Sequence, residues 1–227
     1  MRLSRFGIVT LAFCLSVGVA TAGNFSFTGI FTQDDQLELF QFTAPSASLV
    51  VRTWGYAGGT NANGQLILPG GFDPILSVFD ATGGLLSSSV LVDTNNNGAG
   101  VATDPTTGNA YDSLLALNSL SPGGTYVLVL SQNDNAPNNS TYGDGFSQSG
   151  MGNFTAGEFG CGGSAPFCES PFFPQRDGNW AVDILGVRSA ADITGNGGGG
   201  VPEPSSMLLL ATGLTSLVLL RRRGKQA

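Results

Sequence analysis

Residues 37–42 read LELFQF, and residues 49–54 read LVVRTW. The first stretch alternates apolar and polar side chains, and the second is rich in β-branched and aromatic ones. Clusters of turn-forming residues such as Gly, Pro, Asn and Asp bound such stretches along the chain. Short runs of this composition are typical of β-strands that turn one face to a core.

Comparable runs recur between the two termini, at residues 25–31, 75–79, 90–92, 125–130 and 180–187. No long 3.6-residue repeat is present there, and Leu114–Leu120 is the single short helical candidate. About seven or eight strands joined by turn-rich connections predict an all-β fold. We expect an antiparallel β-sandwich, jelly-roll-like, over residues 23–192.

The composition of residues 23–200 excludes several functions. This segment holds 15 acidic and 3 basic side chains (Arg52, Arg176 and Arg188), a net charge of −12. Such a surface repels phosphate backbones, which excludes nucleic acid as a partner, and attracts divalent cations. The chain has no His and the segment no Lys, so a Ser-His-Asp triad, a Cys-His pair and a Ser-Lys dyad are excluded. We therefore expect a protein that is not an enzyme.

The first 22 residues have the three parts of a secretory signal. Arg2 and Arg5 form a positive n-region, an apolar run covers residues 6–19, and residues 20–22 read ATA, an A-x-A cleavage site. We predict a signal peptide over residues 1–22, export through the Sec machinery and a mature chain that begins at Gly23.

A second apolar run lies near the other terminus. A Gly-rich linker over residues 193–200 leads to Pro202, Glu203 and Pro204, and an apolar stretch follows at residues 207–220. That stretch is short for a permanent membrane span. Three basic residues follow it: Arg221, Arg222 and Arg223.

This order of parts over residues 201–227 resembles the PEP-CTERM sorting signal of Gram-negative bacteria. The resemblance implies an exosortase as partner, a membrane enzyme that removes the tail. It also implies that a C-terminal transmembrane helix anchors the precursor transiently in the inner membrane. The exported protein is then expected at the cell surface or in the extracellular matrix.

Two cysteines remain in the predicted mature body. Cys161 and Cys168 lie in the Gly/Pro-rich stretch CGGSAPFC. Because an exported protein meets an oxidising environment, we predict a local disulfide between them. A zinc site would need further Cys or His ligands, and the body has none.

The sharpest local motif is residues 93–104, DTNNNGAGVATD. It fits the spacing of a calcium loop, in which alternate side chains supply oxygen ligands and Gly98 permits the sharp turn. The flanks read as strand, so this is not an EF-hand, and Asp/Asn/Gly stretches are also plain turn formers. The candidate Ca²⁺ ligands are Asp93, Asn95, Asn97, Asp104 and, from outside the loop, Asp112.

Two long polar loops, residues 55–71 and 131–152, carry tyrosines. An exposed Tyr56 or Tyr142 beside Asn and Asp would suit a sugar-binding surface, because a ring face can cover the apolar face of a pyranose. The alternative is that these aromatic side chains hold the loops onto the sandwich.

The body also resembles the bacterial pre-peptidase C-terminal type domain over about residues 25–130. The resemblance implies a β-sandwich jelly roll that acts as an accessory or binding module. It says little about residues 135–178. The matching stretches are residues 27–29, 34–35, 39–42, 71–80 and 123–126.

These observations predict an exported, non-catalytic protein of the cell surface or matrix. Its role would be structural or adhesive, in association with exopolysaccharide. The alternative is a calcium-dependent carbohydrate-binding module, and a third reading is a carboxylate-based hydrolase.

Overall fold

The structure is a computed structural model that describes residues 22–194 and 197–198. The predicted signal peptide up to residue 21 and the sorting signal at residues 201–227 lie outside the described residues. Within the described ranges, no helix is long and apolar enough to cross a membrane.

The described chain is almost entirely β-structure. Its strands are β1 (Gly23–Ile30), β2 (Glu38–Thr43), β3 (Leu49–Thr53), β4 (Gly59–Thr60), β5 (Leu66–Ile67), β6 (Pro74–Asp80), β7 (Leu91–Asn96), β8 (Leu114–Leu117), β9 (Thr125–Gln132), β10 (Asn179–Val187), β11 (Ser189–Asp192) and β12 (Gly197–Gly198). Two short helical turns complete it, a 3₁₀ turn at Tyr142–Asp144 and α1 at Thr155–Glu158.

The strands form two five-stranded antiparallel sheets and one small hairpin. The first sheet has the order β12-β1-β10-β3-β8, the second β11-β2-β9-β6-β7, and β4 pairs with β5. A continuous apolar core of buried side chains from both sheets lies between them. The predicted all-β antiparallel sandwich is therefore confirmed. Its larger core members include Phe27, Phe40, Leu76, Leu117, Leu128 and Ile184.

The alternating sequence explains which face each strand buries. In β2, Phe40 and Phe42 are buried in the core while Gln41 between them is exposed. In β9 almost every side chain is buried, because the loop that follows it covers the outer face of the second sheet. Phe146 and Tyr142 from that loop pack edge-on against Phe79, with ring centroids 6.3 and 5.5 Å away.

The loop before β6 covers the outer face of the first sheet in the same manner. Asp183 in β10 is buried and accepts hydrogen bonds from Ser26 Oγ, Trp54 Nε1 and the backbone N of Ala62. The Arg52 guanidinium lies 3.5 Å from the centroid of the Trp54 ring. Both long polar loops are thus packed onto the sandwich.

One element differs from the sequence prediction. The helical candidate Leu114–Leu120 is wrong, because Leu114–Leu117 is strand β8, paired with β3 from Leu49↔Leu117 to Arg52↔Leu114. Leu115, Leu117 and Leu120 are buried in the core, whereas Ala116 faces outward. A short run of leucines fits a strand or a helix by periodicity alone, and here tertiary pairing decides.

The segment that precedes β10 is held by a buried carboxylate and a disulfide. Asp34 accepts hydrogen bonds from Thr155 N, Thr155 Oγ1 and Phe167 N at 2.5–2.8 Å. Cys161 and Cys168 form the predicted disulfide, with their Cα atoms 6.3 Å apart. The Gly-rich stretch after β11 also contacts the sandwich, since β12 pairs with Thr28 and Gly29 of β1.

The core packing generates a stability prediction. Leu128 is fully buried between the sheets, so Leu128→Ala should lower the free energy of unfolding by about 2–5 kcal/mol through lost burial and the remaining cavity. Leu86→Ala removes the same atoms from a side chain that is 59% exposed, and it should change the free energy of unfolding by less than about 0.5 kcal/mol. Urea denaturation of both variants measures the difference, and equal losses would contradict this packing.

Candidate functional site at one end of the sandwich

The ends of several strands meet at one end of the sandwich. β6 begins beside the end of β9, because Pro74 is opposite Gln132, and the end of β7 adjoins them through the pair Ile75↔Asn96. The start of β8 in the other sheet is joined to them by Ser113, whose Oγ donates to the carbonyl oxygens of Pro74 and Asn95. Loops from both sheets converge here.

A buried arginine fixes these loops to one another. Arg176 Nη1 forms an ion pair with Asp104 Oδ2 at 2.8 Å, Nε donates to the Gly71 carbonyl at 2.9 Å, and Nη2 donates to the Tyr56 carbonyl at 2.7 Å. Its Cζ atom also lies 3.9 Å from the centroid of the Tyr56 ring. Two loops, residues 55–71 and the loop that carries Asp104, are thereby held to the segment of Arg176 by one rigid guanidinium.

Tyr56 continues this network to a carboxylate. Its hydroxyl group lies 2.7 Å from both carboxylate oxygens of Glu169, and Asn109 Nδ2 donates to Glu169 Oε1 at 3.0 Å. Burial and the hydrogen bond to Glu169 raise the pKa of Tyr56, so the phenol stays protonated as the donor. Tyr111 packs against the same ring, with centroids 5.1 Å apart.

Asp112 anchors the start of the loop that carries Tyr56. It is buried and accepts hydrogen bonds from Thr53 Oγ1 and from the backbone N atoms of Tyr56 and Ala57. Burial raises the pKa of Asp112, and these three donors partly oppose that rise. The residue is an acceptor that shapes a turn.

A pocket of about 240 Å³ opens beside this network. Its wall is mostly amide, carboxyl and aromatic. Two buried oxygens in the wall, Asp73 Oδ1 and Gln132 Oε1, have no hydrogen-bond partner among the described residues. The lining residues are Asp73, Asn96, Asn97, Tyr111, Gln132, Asn133, Phe159, Phe167, Cys168, Glu169, Phe173 and Arg176.

The electrostatics of the pocket are strongly anionic. Burial raises the pKa of Asp73 to about 8, and the negative charges of Glu169, Asp112 and Asp134 add to the rise, whereas Arg176 opposes it. At Asp104, burial also disfavours the charged form, but hydrogen bonds from Arg176 and from the backbone outweigh it and lower the pKa. The arginine is therefore paired with Asp104, and Asp73 is left without a compensating charge.

The residues of the predicted calcium loop do not share one set of contacts. Asp93 and Asn95 lie on β7, where Asp93 is exposed and Asn95 Oδ1 accepts a hydrogen bond from Leu114 N. Asn97 has a left-handed backbone (φ 69°) and lines the pocket, and Asp104 is paired with Arg176. Asp112 holds the turn at Tyr56.

Close backbone packing requires a glycine at position 98 of that loop. The backbone N of Gly98 donates to the Asp112 carbonyl, and an added Cβ would lie 2.4 Å from Leu114 N. This stretch therefore passes close to the start of β8. Among the described residues, no group of three or more His, Cys, Asp or Glu side chains is placed to hold a metal ion.

The two candidate tyrosines of the ligand surface are both engaged with the protein. Tyr56 is fully buried under Arg176, so its ring face is not open to a ligand, which corrects the expectation of an exposed ring. Tyr142 is half-buried and packs on Phe79 and Phe146. In both cases the aromatic side chain holds its loop onto the sandwich.

Apart from Asn97 in the calcium-loop motif, the sequence motifs do not point to the polar residues that build the pocket. No motif or spacing singles out Asp73, Gln132 or Glu169. Arg176 carried a usable signal, since it is one of three bases among fifteen acids in residues 23–200. Because acidic side chains are in such excess, this base has many possible ion-pair partners, and a buried charge needs such a partner.

The comparisons with known proteins concern the tail. Residues 200–223 match the family model of the PEP-CTERM protein-sorting motif. The chain carries a PEP-CTERM motif. The motif implies processing by an exosortase and indicates a secreted protein whose membrane-anchored precursor is sorted to the cell surface. Searches of curated proteins and of solved structures found no match, so the resemblance to the pre-peptidase domain stays a prediction.

The raised pKa of Asp73 predicts a pH dependence. Between about pH 4 and pH 8 the folded state holds the Asp73 proton more tightly than the unfolded state does, since its folded pKa is about 8 and its ordinary value 3.8. The free energy of unfolding should therefore fall as the pH rises through this window, by up to about 1.4 kcal/mol per pH unit.

Urea denaturation in the presence of EDTA, repeated across this window, measures the slope. Asp73→Asn removes the titrating group and keeps its shape, so the variant should show a flatter profile than the wild-type protein. The difference between the two profiles isolates Asp73 from the other carboxyl groups. Parallel profiles would mean that Asp73 titrates as an ordinary carboxyl.

Proposed function

We propose that this PEP-CTERM protein is a non-catalytic, adhesive component of the cell surface or matrix, and that its pocket binds exopolysaccharide. The observation that carries the proposal is the lining of the pocket. Side-chain amides and carboxylates are the groups that bind sugar hydroxyls, because an amide both donates to and accepts from hydroxyl groups and a carboxylate accepts from them. Four amide side chains contribute: Asn96, Asn97, Gln132 and Asn133.

Aromatic side chains at the rim support the same function. Phe173 lines the pocket and is 36% exposed, and Phe172, its neighbour in the sequence, is 91% exposed. An exposed aromatic ring next to a polar pocket can cover the apolar face of a sugar while the amides bind its hydroxyls. Adjacent exposed apolar side chains of this kind are typical of interaction sites. The net negative charge of the rest of the surface keeps the exported protein soluble.

The non-catalytic part of the proposal rests on the carboxylates of the pocket. Glu169 accepts hydrogen bonds from Tyr56 and Asn109, and Arg176 Nε lies 3.8 Å from its Oε2. These contacts assign Glu169 to holding the loops in place, where a catalytic carboxylate needs access to substrate or water. The chain has no His and residues 23–200 have no Lys, so neither residue type can serve as a base in the pocket.

One observation favours a second candidate, a carboxylate-based glycoside hydrolase. Asp73 has the raised pKa that a general acid needs, and Glu169 lines the same pocket. Release of reducing ends from the exopolysaccharide that is lost in Asp73→Asn would establish this activity. A binding protein releases none.

Affinity electrophoresis through gels that contain the host's purified exopolysaccharide tests the binding function. The wild-type exported protein should be retarded in proportion to the polysaccharide concentration. Phe173→Ala removes an aromatic ring that lines the pocket and should weaken the apparent affinity about tenfold, a loss of about 1.4 kcal/mol.

Leu68→Ala serves as the matched control, since it removes an exposed apolar side chain that does not line the pocket. It should leave the retardation unchanged. Equal retardation of the wild-type protein and Phe173→Ala, or no retardation of either, would overturn binding through this pocket.

A further inference from the structure

We infer that this pocket is a binding site for a hard divalent cation, of which Ca²⁺ is the fitting example, held by Asp73 Oδ1 and Gln132 Oε1. Water and the neighbouring amide oxygens of the lining complete the oxygen shell. The site differs from the sequence-predicted loop at residues 93–104. It also stands independently of polysaccharide binding.

The argument starts from the two oxygens without a hydrogen-bond partner. Asp73 is 7% exposed and Gln132 is 3% exposed. Neither side chain lies on an open surface where bulk water could replace the missing hydrogen bonds. When Asp73 is ionised, both atoms are acceptors, and two acceptors cannot satisfy each other. Leaving both unpaired would be costly, so the pocket between them is suited to a donor or a cation.

The backbone places these two side chains at one point. Asp73 immediately precedes β6 and Gln132 ends β9, and these strands are paired up to Pro74↔Gln132. The backbone N of Asn133 donates to the Asp73 carbonyl at 2.8 Å, which extends the pairing by one step. Paired strand ends hold the two side chains without a mobile loop, as a preorganised binding site requires.

The neighbouring Arg176 does not serve as the donor for these two oxygens. Arg176 lines the pocket, but its Nε, Nη1 and Nη2 atoms are engaged with Gly71, Asp104 and Tyr56. Every other residue of the described lining is neutral or acidic. The positive charge that an ionised Asp73 lacks must therefore come from outside the described residues.

The negative charges around Asp73 favour a cation over a neutral hydrogen-bond donor as the bound group. Asp73 experiences the negative charges of Glu169, Asp112 and Asp134, which a sugar hydroxyl or a water molecule leaves unbalanced. A divalent cation balances them and accepts both carboxylate and amide oxygens as ligands. Ca²⁺ suits this mixed set because it tolerates irregular geometry and retained waters, and one or two carboxylates give affinities of about 10⁻⁴–10⁻³ M.

Isothermal titration and thermal melting of the exported protein, stripped with EDTA and titrated with CaCl₂ alone, test the site. We expect one site of about millimolar affinity and a rise in Tm of about 3–5 °C at 10 mM CaCl₂. Asp73→Asn keeps the shape of the side chain, folds in EDTA and should weaken binding at least tenfold. Gln132→Met removes the second oxygen and should weaken it as well, which keeps the test valid if the first variant misfolds.

Two further variants locate the bound ion. Asp80→Asn makes the same charge change at the other, exposed end of β6 and should leave binding intact. Asp93→Asn should also leave it intact. Loss of binding in Asp93→Asn but not in Asp73→Asn would move the ion to residues 93–104 and overturn the proposal, as would the absence of a calcium response in the wild-type protein. Neither readout involves polysaccharide, so polysaccharide binding can fail while the cation site stands.

Discussion

The candidate site depends on one constraint, the satisfaction of a buried guanidinium. Arg176 is nearly inaccessible to solvent, and an arginine stays charged in a protein. It must therefore find acceptors on several sides, and it takes them from two loops: Tyr56 and Gly71 lie in residues 55–71, and Asp104 lies in the loop between β7 and β8. Loops that have no regular structure of their own are fixed in this way, and the pocket is the space left between them.

The same constraint creates the charge imbalance that gives the pocket its chemistry. The body carries five times as many acids as bases, so pairing Arg176 with Asp104 leaves other carboxylates nearby without a base. Asp73 is the extreme case, because it is buried at a paired strand end and its pKa rises to about 8. For an exported protein with a PEP-CTERM motif, such a pocket provides a site for a cation and for a polyhydroxylated ligand at the cell surface.

The strands were predictable because their signal is local. Phe40, Gln41 and Phe42 alternate between core and solvent as the sequence indicates. Leu114–Leu117 was mistaken for a helix because four residues with three leucines fit both periodicities. The pocket was not predictable, since it joins Asp73, Gln132 and Arg176 across about a hundred positions. In the motif at residues 93–104, Asn95 and Gly98 both form hydrogen bonds with the segment at the start of β8. The spacing of the motif does not predict this structural role.

The most direct test of this account is hydrogen exchange in Arg176→Lys. Lysine keeps the positive charge but cannot reach three acceptors with one planar fork. The account predicts at least tenfold faster amide exchange at residues 54–58, 69–71 and 167–177, while strands β2 and β9 in the core keep their protection. Unchanged exchange in these segments would show that they are ordered without the Arg176 contacts and would contradict its central role.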